Sequence, residues 1–415
     1  MIVRGGTVVT ARGVEQADIA IAGDQITAVG RNLPEDGEEI DATGLHVFPG
    51  GIDSHVHFNE PGRTEWEDIA HGSAALEAGG YTAFIDMPLN NLPVTTTVEA
   101  FDLKLAAMQR SSKLDYGLWA GLVPGNLDQI EPLLRRGVMG FKAFMCPSGI
   151  DEFPAADERT LREGMKRIAE LDSILLVHAE DPKRLFEPRG PGPLDFVNSR
   201  PVIAERAAIT QLIQLADATG CRLHIVHVST AQGMHLIREA RDRGVDVSGE
   251  TCPHYLLYTE ADLVRLGGVG KCAPPFRLSW DRDSLSTAPM IVSDHSPSTL
   301  ELKQGEDFRK IWGGISGCQS TRHLLLALDR LELSTIAAVT STNIARRFRI
   351  DWKGDIATGH DADLWLVDLT HEDVVRREDL LYKNPFSAHE GQRIRGRTVR
   401  TIHGKPRFIR PGVRS

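Results

Sequence analysis

Apolar, strand-like runs alternate with segments of helical period through the middle of this 415-residue chain. After a first strand that ends near His55, the predicted strands are residues 81–87, 116–121, 137–145, 174–179, 222–228, 245–250 and 289–293. The predicted helices between them are residues 66–78, 98–109, 127–136, 158–170, 203–218 and 231–243. This alternation favours an α/β fold of the (β/α)8, TIM-like barrel type. An open, doubly wound sheet is the alternative, but the regular repeats favour closure.

The two ends of the chain differ from this middle part, because both are rich in short strand-like runs separated by turns. Near the N-terminus these runs are residues 3–10, 17–22 and 25–29, and near the C-terminus they are residues 363–367, 398–403 and 407–409. We therefore expect two units. The barrel would consist of residues 49–354, and a small β-sandwich module would consist of residues 1–48 together with residues 355–415.

Charge and hydropathy argue against several classes of partner. The net charge of −10 and the pI of about 5.9 do not suit general binding of nucleic acid or of an anionic membrane. No apolar run approaches the roughly 20 residues that span a bilayer, and the first residues lack the pattern of a signal peptide. The five cysteines are scattered, and we expect reduced thiols in a cytoplasmic protein.

His55 and His57 lie at the end of the first predicted barrel strand, and a loop rich in proline and glycine follows them. Residues two apart on a strand point to the same face, so the two imidazoles could hold one divalent metal ion. Alone, this spacing is weak evidence, because most such pairs are ordinary strand residues.

Four further strands carry metal-competent residues at their C-terminal ends, where barrel enzymes build their active sites. These residues are Lys142, His178, His227 and Asp294. Each has an ordinary alternative, because a strand-end histidine usually forms a hydrogen bond in the core and a lone lysine usually reaches solvent. Five strands would rarely converge in this way by chance, so the joint pattern predicts a metal centre.

Lys142 has a specific chemical role in this hypothesis. It lies within an apolar strand, where burial lowers the pKa of an amine. A neutral amine can take up carbon dioxide as a carbamate, which turns a buried cation into an anionic oxygen ligand that could bridge two metal ions. The remaining ligands would be His55, His57 and Asp294 for one ion, and His178 and His227 for the other. Two ions about 3.5–4 Å apart would share a water and lower its pKa to near 7.

These residues and their spacing resemble the cyclic-amidohydrolase branch of the amidohydrolase superfamily, which includes dihydroorotases, hydantoinases (dihydropyrimidinases) and allantoinases. The resemblance covers nearly the whole chain, including the split β module. The motif GHDADL at residues 359–364 matches the family's motif at the point where the chain returns to that module. It implies two divalent metal ions, with zinc as the first choice and manganese, cobalt or iron as alternatives. It also implies a homo-oligomer, either a dimer or a tetramer. The implied metal ligands are His55, His57, carboxylated Lys142, His178, His227 and Asp294, and Asp294 is also the implied general acid/base.

Other motifs favour one branch of this family. Dihydroorotases carry an arginine two positions after the second histidine of the HxH motif, where this chain has Asn59. Hydantoinases carry a tyrosine a few residues after the carboxylated lysine, and residues 143–149 contain none. The segments similar to allantoinases are HFNEPGRTEWE at residues 57–67, MPLN at 87–90, CPHYL at 252–256, KCAPP at 271–275 and WGGISG at 312–317. The resemblance therefore implies hydrolysis of a small-molecule substrate, the hydantoin ring of allantoin, to allantoate in purine degradation.

Two other functions stay open. One is a different cyclic amidase, either a hydantoinase/dihydropyrimidinase or a dihydroorotase. The other is a non-enzymatic scaffold paralogue of the same fold, although a scaffold would be free to lose its metal ligands.

Allantoin is neutral, so an uncharged polar pocket should hold it, because a buried arginine without a carboxylate partner would be costly. Asn59 and Ser316 are the predicted substrate contacts, and loop capping is the alternative role for both.

The stretch between Arg277 and Asp294 is several residues shorter than the resemblance leads us to expect. The helix before the eighth strand is reduced to about residues 281–285. Either this element is trimmed or the sequence lacks residues there.

Overall fold

The computed structural model describes residues 1–34 and 37–414. The first strands are β1 (Ile2–Thr10), β2 (Gly13–Ala22), β3 (Gln25–Gly30), β4 (Glu39–Asp41) and β5 (His46–Pro49). The first three form an antiparallel meander, and β5 pairs in parallel with β1 before the chain enters the barrel. Glu35, Asp36 and Ser415 belong to the predicted β module and lie outside the described residues.

The middle of the chain forms a ring of buried parallel strands. They are β6 (Gly51–Val56), β7 (Tyr81–Asp86), β8 (Asp115–Leu118), β9 (Ala120–Gly121), β10 (Phe141–Phe144), β11 (Ile174–His178), β12 (Arg222–Ile225) and β13 (Val247–Gly249). Neighbours pair in chain order, with β6 to β8 in one sheet and β9 to β13 in another. Only Trp119 separates β8 from β9, so the predicted strand 116–121 connects the two sheets. Parallel strands of this kind are covered on both faces, which explains their apolar sequences.

The eighth strand position closes the ring through isolated bridges. Ile291 pairs with Thr251 beyond β13, and His295 pairs with Val56 at the end of β6. The backbone N–H of His57 also donates to the carbonyl of His295 at 2.8 Å. These contacts confirm the (β/α)8 barrel, although the last strand is less regular than the sequence predicts.

Helices cover the barrel, and the predicted helices lie close to the observed ones. The helices are α1 (Ile69–Ala78), α2 (Val98–Ser111), α3 (Ile130–Arg136), α4 (Glu158–Glu170), α5 (Pro193–Ser199), α6 (Val202–Thr219), α7 (Ala231–Asp242), α8 (Pro253–Leu257), α9 (Glu260–Leu266), α10 (Ser279–Ser284), α11 (Thr321–Leu326), α12 (Leu333–Ala337) and α13 (Asn343–Arg347). Side chains that accept a hydrogen bond from the first turn fix several starts, as Asp157 does for α4. Within the described residues, no helix has the length and hydropathy of a membrane span.

The predicted strand 137–145 begins only at Phe141. Gly137 ends α3 in the left-handed conformation with φ of 101°, and Gly140 has φ of 152°. The chain therefore turns between the helix and the strand, where a continuous strand is expected from the apolar sequence alone.

Two C-terminal strands, β14 (Leu364–Val374) and β15 (Arg393–Ile402), join the N-terminal ones. In the described chain they form a seven-stranded sheet in the order β15-β14-β5-β1-β2-β3, with β4 paired to β1. The unit boundaries after residues 48 and 354 stay a prediction. Residues 407–409, which the sequence analysis places in this module, pair with the barrel strand β8. The N–H of Ile409 donates to the carbonyl of Tyr116, and the N–H of Tyr116 donates to the carbonyl of Arg407.

Lys353 connects the sheet to the barrel at the end opposite the strand C-termini. Its buried ammonium lies 2.7 Å from Asp115, 2.9 Å from Asp361 and 2.6 Å from Asp363. Burial alone would lower the pKa of Lys353, but the three carboxylates outweigh it, so the pKa is raised. The cation and its acidic partners therefore stabilise each other and join the start of β8 to the segment before β14.

Candidate metal centre and active site

His55 and His57 lie at the C-terminal end of β6 and face Asp294 from the eighth strand position. His55 Nε2 is 3.3 Å from Asp294 Oδ1, and His57 Nε2 is 3.5 Å from the same oxygen. All three side chains are buried, and their ligand atoms lie within 4.8 Å of one another. The three residues predicted to hold one metal ion are thus brought together.

Asp53 explains why Asp294 lies beside these histidines. Its buried carboxylate accepts a hydrogen bond from the backbone N–H of His55 at 3.2 Å and another from that of Ser293 at 3.3 Å. One side chain therefore ties β6 to the residue that precedes Asp294. Burial raises the pKa of Asp53 to about 7, against the effect of these hydrogen bonds.

Asp294 and His227 both have a left-handed backbone, with φ of 46° and 38°. This conformation costs a residue other than glycine about 1–3 kcal/mol, and such strain persists where the surrounding structure imposes it. It occurs here at two strand ends that point side chains into the same site.

His178 and His227 form a second pair beside the first. His178 Nδ1 lies 3.1 Å from His227 Nε2, and the ring of His227 lies 5.4 Å from that of His55. Phe144 stacks on His178 with ring centres 4.7 Å apart. Burial lowers the pKa of both histidines, so both are neutral at pH 7 and can offer a lone pair to a metal ion.

Lys142 lies in β10 and is fully buried. Its Nζ has no hydrogen-bond partner in residues 1–34 and 37–414, and it lies 4.9 Å from the ring centre of Phe144. Burial lowers the pKa of Lys142 to about 7, although Asp294 and Glu250 favour the cation. An unpartnered buried amine with this pKa fits the neutral form that can accept carbon dioxide.

Glu250 follows β13 and is a candidate supporting residue that sequence reasoning missed. Its Oε1 lies 2.6 Å from His55 Nδ1, and its Oε2 lies 3.0 Å from His224 Nε2. When Glu250 is ionised, this contact places the proton of His55 on Nδ1 and leaves Nε2 free to bind a cation. The available signal was its place as the last residue of a predicted barrel strand.

Glu180 has the same role for His178. Its Oε2 lies 2.7 Å from His178 Nε2, so that Nδ1 faces His227, and Arg200 binds the same carboxylate. Burial disfavours the ionised carboxylate, but the charge of Arg200 and the bond to His178 outweigh it, so the pKa of Glu180 is lowered. Its position two residues after His178 was the signal, because such residues share a strand face.

A cavity of about 350 Å³ lies over the histidines and Asp294. Its walls come from the loops that follow β7, β10, β11, β13 and the eighth strand position. The size and the polar floor suit a small ligand.

Asn59 and Ser316 are not among the residues that line this cavity. Both are buried, and the amide atoms of Asn59 and the hydroxyl of Ser316 lack hydrogen-bond partners in the described part of the chain. Their role as substrate contacts stays a prediction.

The sequence and the fold of this chain are similar to those of known amidohydrolases. The model of the amidohydrolase family matches residues 46–395. An allantoinase from Rubrobacter xylanophilus is 50% identical over 97% of this chain and 92% of its own length, and one from Solibacter usitatus is 48% identical with the same shares. The solved L-hydantoinase (dihydropyrimidinase) from Arthrobacter aurescens has a TM-score of 0.94 and 30% identity, covering 99% of this chain and 98% of its own.

The alignment with the Rubrobacter protein extends over 421 positions, more than the 415 residues of this chain. It therefore contains positions that this chain lacks, and the shortened stretch between Arg277 and Asp294 stays a prediction. The short helix α10 stands where the sequence predicts the reduced helix.

Replacing Glu250 by alanine should weaken binding of zinc by about 10–100-fold, because His55 would lose the acceptor that orients it. Zinc affinity of the metal-free protein can be measured by competition with a chelator. Glu250→Gln keeps a hydrogen-bond acceptor, so its zinc affinity should lie between those of the wild type and Glu250→Ala. Glu163→Ala, on the exposed face of α4, serves as the control. Wild-type affinity in Glu250→Ala would show that this carboxylate does not orient a ligand.

Proposed function

We propose that this chain, which belongs to the amidohydrolase family, hydrolyses the hydantoin ring of allantoin to allantoate. It is a hydrolase that acts on cyclic amide C–N bonds. The observation that carries the proposal is the convergence of four histidines, His55, His57, His178 and His227, and Asp294 on one cavity of small-molecule size. The curated relatives that share about half of its residues are allantoinases, which favours allantoin over other cyclic amides.

The amidohydrolase superfamily is metal-dependent, and this chain carries a candidate ligand cluster. We infer two divalent ions, with zinc preferred because imidazole and carboxylate oxygen suit it. His55, His57 and Asp294 would hold one ion, and His178 and His227 the other. Lys142 would bridge them after its amine adds to carbon dioxide and releases a proton. When bound, such ions polarise a carbonyl and lower the pKa of a water.

Asp294 is the proposed general acid/base. Its carboxylate lines the cavity beside the two histidines of β6, within reach of a substrate on the cavity floor. It would accept a proton from the attacking water and deliver it to the ring nitrogen as the amide C–N bond breaks. The water oxygen becomes part of the product carboxylate, and the nitrogen leaves as a ureido amide.

Hydantoinase activity is the second candidate, because a hydantoinase has the similar fold described above. A dihydroorotase is disfavoured by Asn59, which cannot pair with a substrate carboxylate. A scaffold role is disfavoured because every predicted ligand is retained. We further propose a homo-oligomer, a dimer or a tetramer, and a cytoplasmic location, which the five free, buried cysteines support.

Purified protein should hydrolyse allantoin with a higher kcat/KM than hydantoin or dihydroorotate. Asp294→Asn should lower kcat for allantoin by about 100-fold or more, because the proton carrier is lost, while metal content stays near that of the wild type. Steady-state assays with the three substrates and elemental analysis check both. A preference for hydantoin or dihydroorotate would overturn the substrate, and near-wild-type turnover in Asp294→Asn would overturn the role of the residue.

Lys142→Ala should lose bound metal, because the bridging oxygen ligand can no longer form. Short carboxylic acids such as acetate should restore part of the metal content and activity by occupying the vacated space. Metal analysis and activity with and without the acid are the measurements. A variant that holds two metal ions unaided would show that Lys142 is not a ligand.

We also propose that Asn59 and Ser316 contact the substrate. The loop after Asn59 is held by backbone bonds, from Asn59 N to Glu67 O at 3.1 Å and from Arg63 N to Asn59 O at 2.9 Å. The side-chain amide has no hydrogen-bond partner within the described residues, which argues against simple loop capping.

Asn59→Ala should therefore lower kcat/KM for allantoin by about 1–3 kcal/mol in transition-state free energy, without loss of metal. Asn59→Arg should depress allantoin turnover further and favour a ring that carries a carboxylate, such as dihydroorotate. Steady-state kinetics of Asn59→Ala and Asn59→Arg with allantoin and dihydroorotate test whether Asn59 contacts the substrate. Unchanged allantoin kinetics in both would leave Asn59 a purely structural residue.

A further inference from the structure

One wall of the cavity is formed by residues 300–314, named here the eighth-strand wall. Apart from a 3-10 turn at Leu300–Lys303, this wall has an irregular backbone. Its cavity-lining residues are Leu302, Arg309, Lys310, Ile311, Trp312, Gly313 and Gly314. A loop of this kind cannot satisfy its own buried carbonyls through a helix or a sheet, so other groups must do so.

Lys303 donates hydrogen bonds to two carbonyl groups of this wall and to one carbonyl group of the loop that follows β13. The side chain is buried, and its Nζ donates to the backbone oxygens of Lys271 at 3.2 Å, Trp312 at 2.9 Å and Gly314 at 2.7 Å. All three donors of the ammonium are therefore used. This one side chain holds the end of the wall against the loop that follows β13.

Lys271 holds the middle of the wall from that loop. Its Nζ donates to the carbonyl oxygens of Phe308 at 2.6 Å and Ile311 at 2.5 Å. It also lies 4.8 Å from the ring centre of Phe196. In addition, the N–H of Gly314 donates to the carbonyl of Lys271 at 2.8 Å, so backbone and side chain both join the loop to the wall.

Neither lysine forms a carboxylate ion pair among the described residues, and burial lowers their pKa values to about 8 for Lys271 and about 7 for Lys303. This differs from Lys353, which is equally buried but surrounded by three carboxylates. Lys271 and Lys303 are costly to bury, and the hydrogen bonds of their ammonium groups all go to backbone carbonyls of the wall and of Lys271.

The wall ends in two glycines, Gly313 and Gly314, that bring backbone close to the cavity. A Cβ on Gly314 would lie 2.5 Å from the carbonyl oxygen of Ser296, so this position admits no side chain without a shift. The N–H and carbonyl of Gly314 are bonded to Lys271 and Lys303, so the peptide groups of Gly313 are the ones that can donate to and accept from a neutral amide. The ureido arm of allantoin has this chemistry.

We propose that Lys271 and Lys303 are positioning residues that fix the eighth-strand wall, and that the position of this wall sets the affinity for the ureido arm of the substrate. The second part rests on the proposed function. The reacting ring carbonyl must lie at the histidines and Asp294, so the arm projects away from them toward the cavity walls. The lysines act through the backbone and have no part in the proton transfer.

Lys303→Met tests this directly, because methionine has a similar length but cannot donate. Amide hydrogen exchange in residues 300–314 should become faster, and KM for allantoin should rise about tenfold while kcat changes less than about threefold. Hydantoin, which lacks the arm, should show a much smaller change in KM. Lys271→Met removes a different pair of bonds and should give the same pattern, so it serves if the first variant does not fold.

Lys353→Met is the matched control, because it removes a buried lysine at the far end of the barrel. It should lower the thermal midpoint without changing exchange in residues 300–314 or the ratio of allantoin to hydantoin KM values. Unchanged amide exchange in both Lys303→Met and Lys271→Met would overturn the proposal that these lysines fix the eighth-strand wall. Faster amide exchange with an unchanged ratio of allantoin to hydantoin KM values would overturn the proposal that the wall sets the affinity for the ureido arm. A wild type that does not act on allantoin would overturn the proposed function. The exchange result would then decide by itself whether the two lysines fix the eighth-strand wall.

Discussion

The pairing of the eighth strand position with β6 is the contact on which the candidate active site depends. Asp294 comes from one side of this junction and His55 and His57 from the other, so the three can approach only if the barrel closes. Closure here relies on single bridges and on the buried carboxylate of Asp53, which bonds to both strands. The least regular strand of the barrel therefore carries its proposed general acid/base.

Burial controls the ionisation of the groups around the metal centre. It lowers the pKa of Lys142 to about 7 and lowers the pKa values of His55, His178 and His227, which favours the neutral forms that carbamate formation and metal binding require. The carboxyl groups of Glu180 and Glu250, which contact the proposed ligands His178 and His55, differ in their pKa shifts. Arg200 keeps Glu180 ionised, whereas burial raises the pKa of Glu250 to about 8 despite the nearby Lys142. Cations brought into the site would favour ionised Glu250, so the hydrogen bond to His55 would strengthen when metal binds.

The strands of the barrel and the loops that follow them have different roles at the candidate site. Regular strands hold the proposed ligands at fixed positions, while irregular loops form the cavity walls and so face whatever part of a substrate lies beyond the histidines. Such loops need hydrogen bonds from side chains. Two lysines that bond only to carbonyls supply them at the eighth-strand wall, and this differs from the fully ion-paired Lys353 at the other end of the barrel.

The sequence by itself determined the barrel and the strand-end residues His55, His57, Lys142, His178, His227 and Asp294. It could do so because strand and helix periods are local patterns, and parallel strands bring their C-terminal ends to one face of a barrel. The tertiary structure alone decided which side chains support them. The bonds of Glu250 to His55, of Arg200 to Glu180 and of Lys303 to Trp312 join segments that are far apart in the chain or follow no period. Likewise, only the folded chain shows that residues 407–409 pair with β8 and that Asn59 lies outside the cavity lining. Local propensity does not encode such contacts, because they arise from ring closure and from the need of buried polar groups for partners.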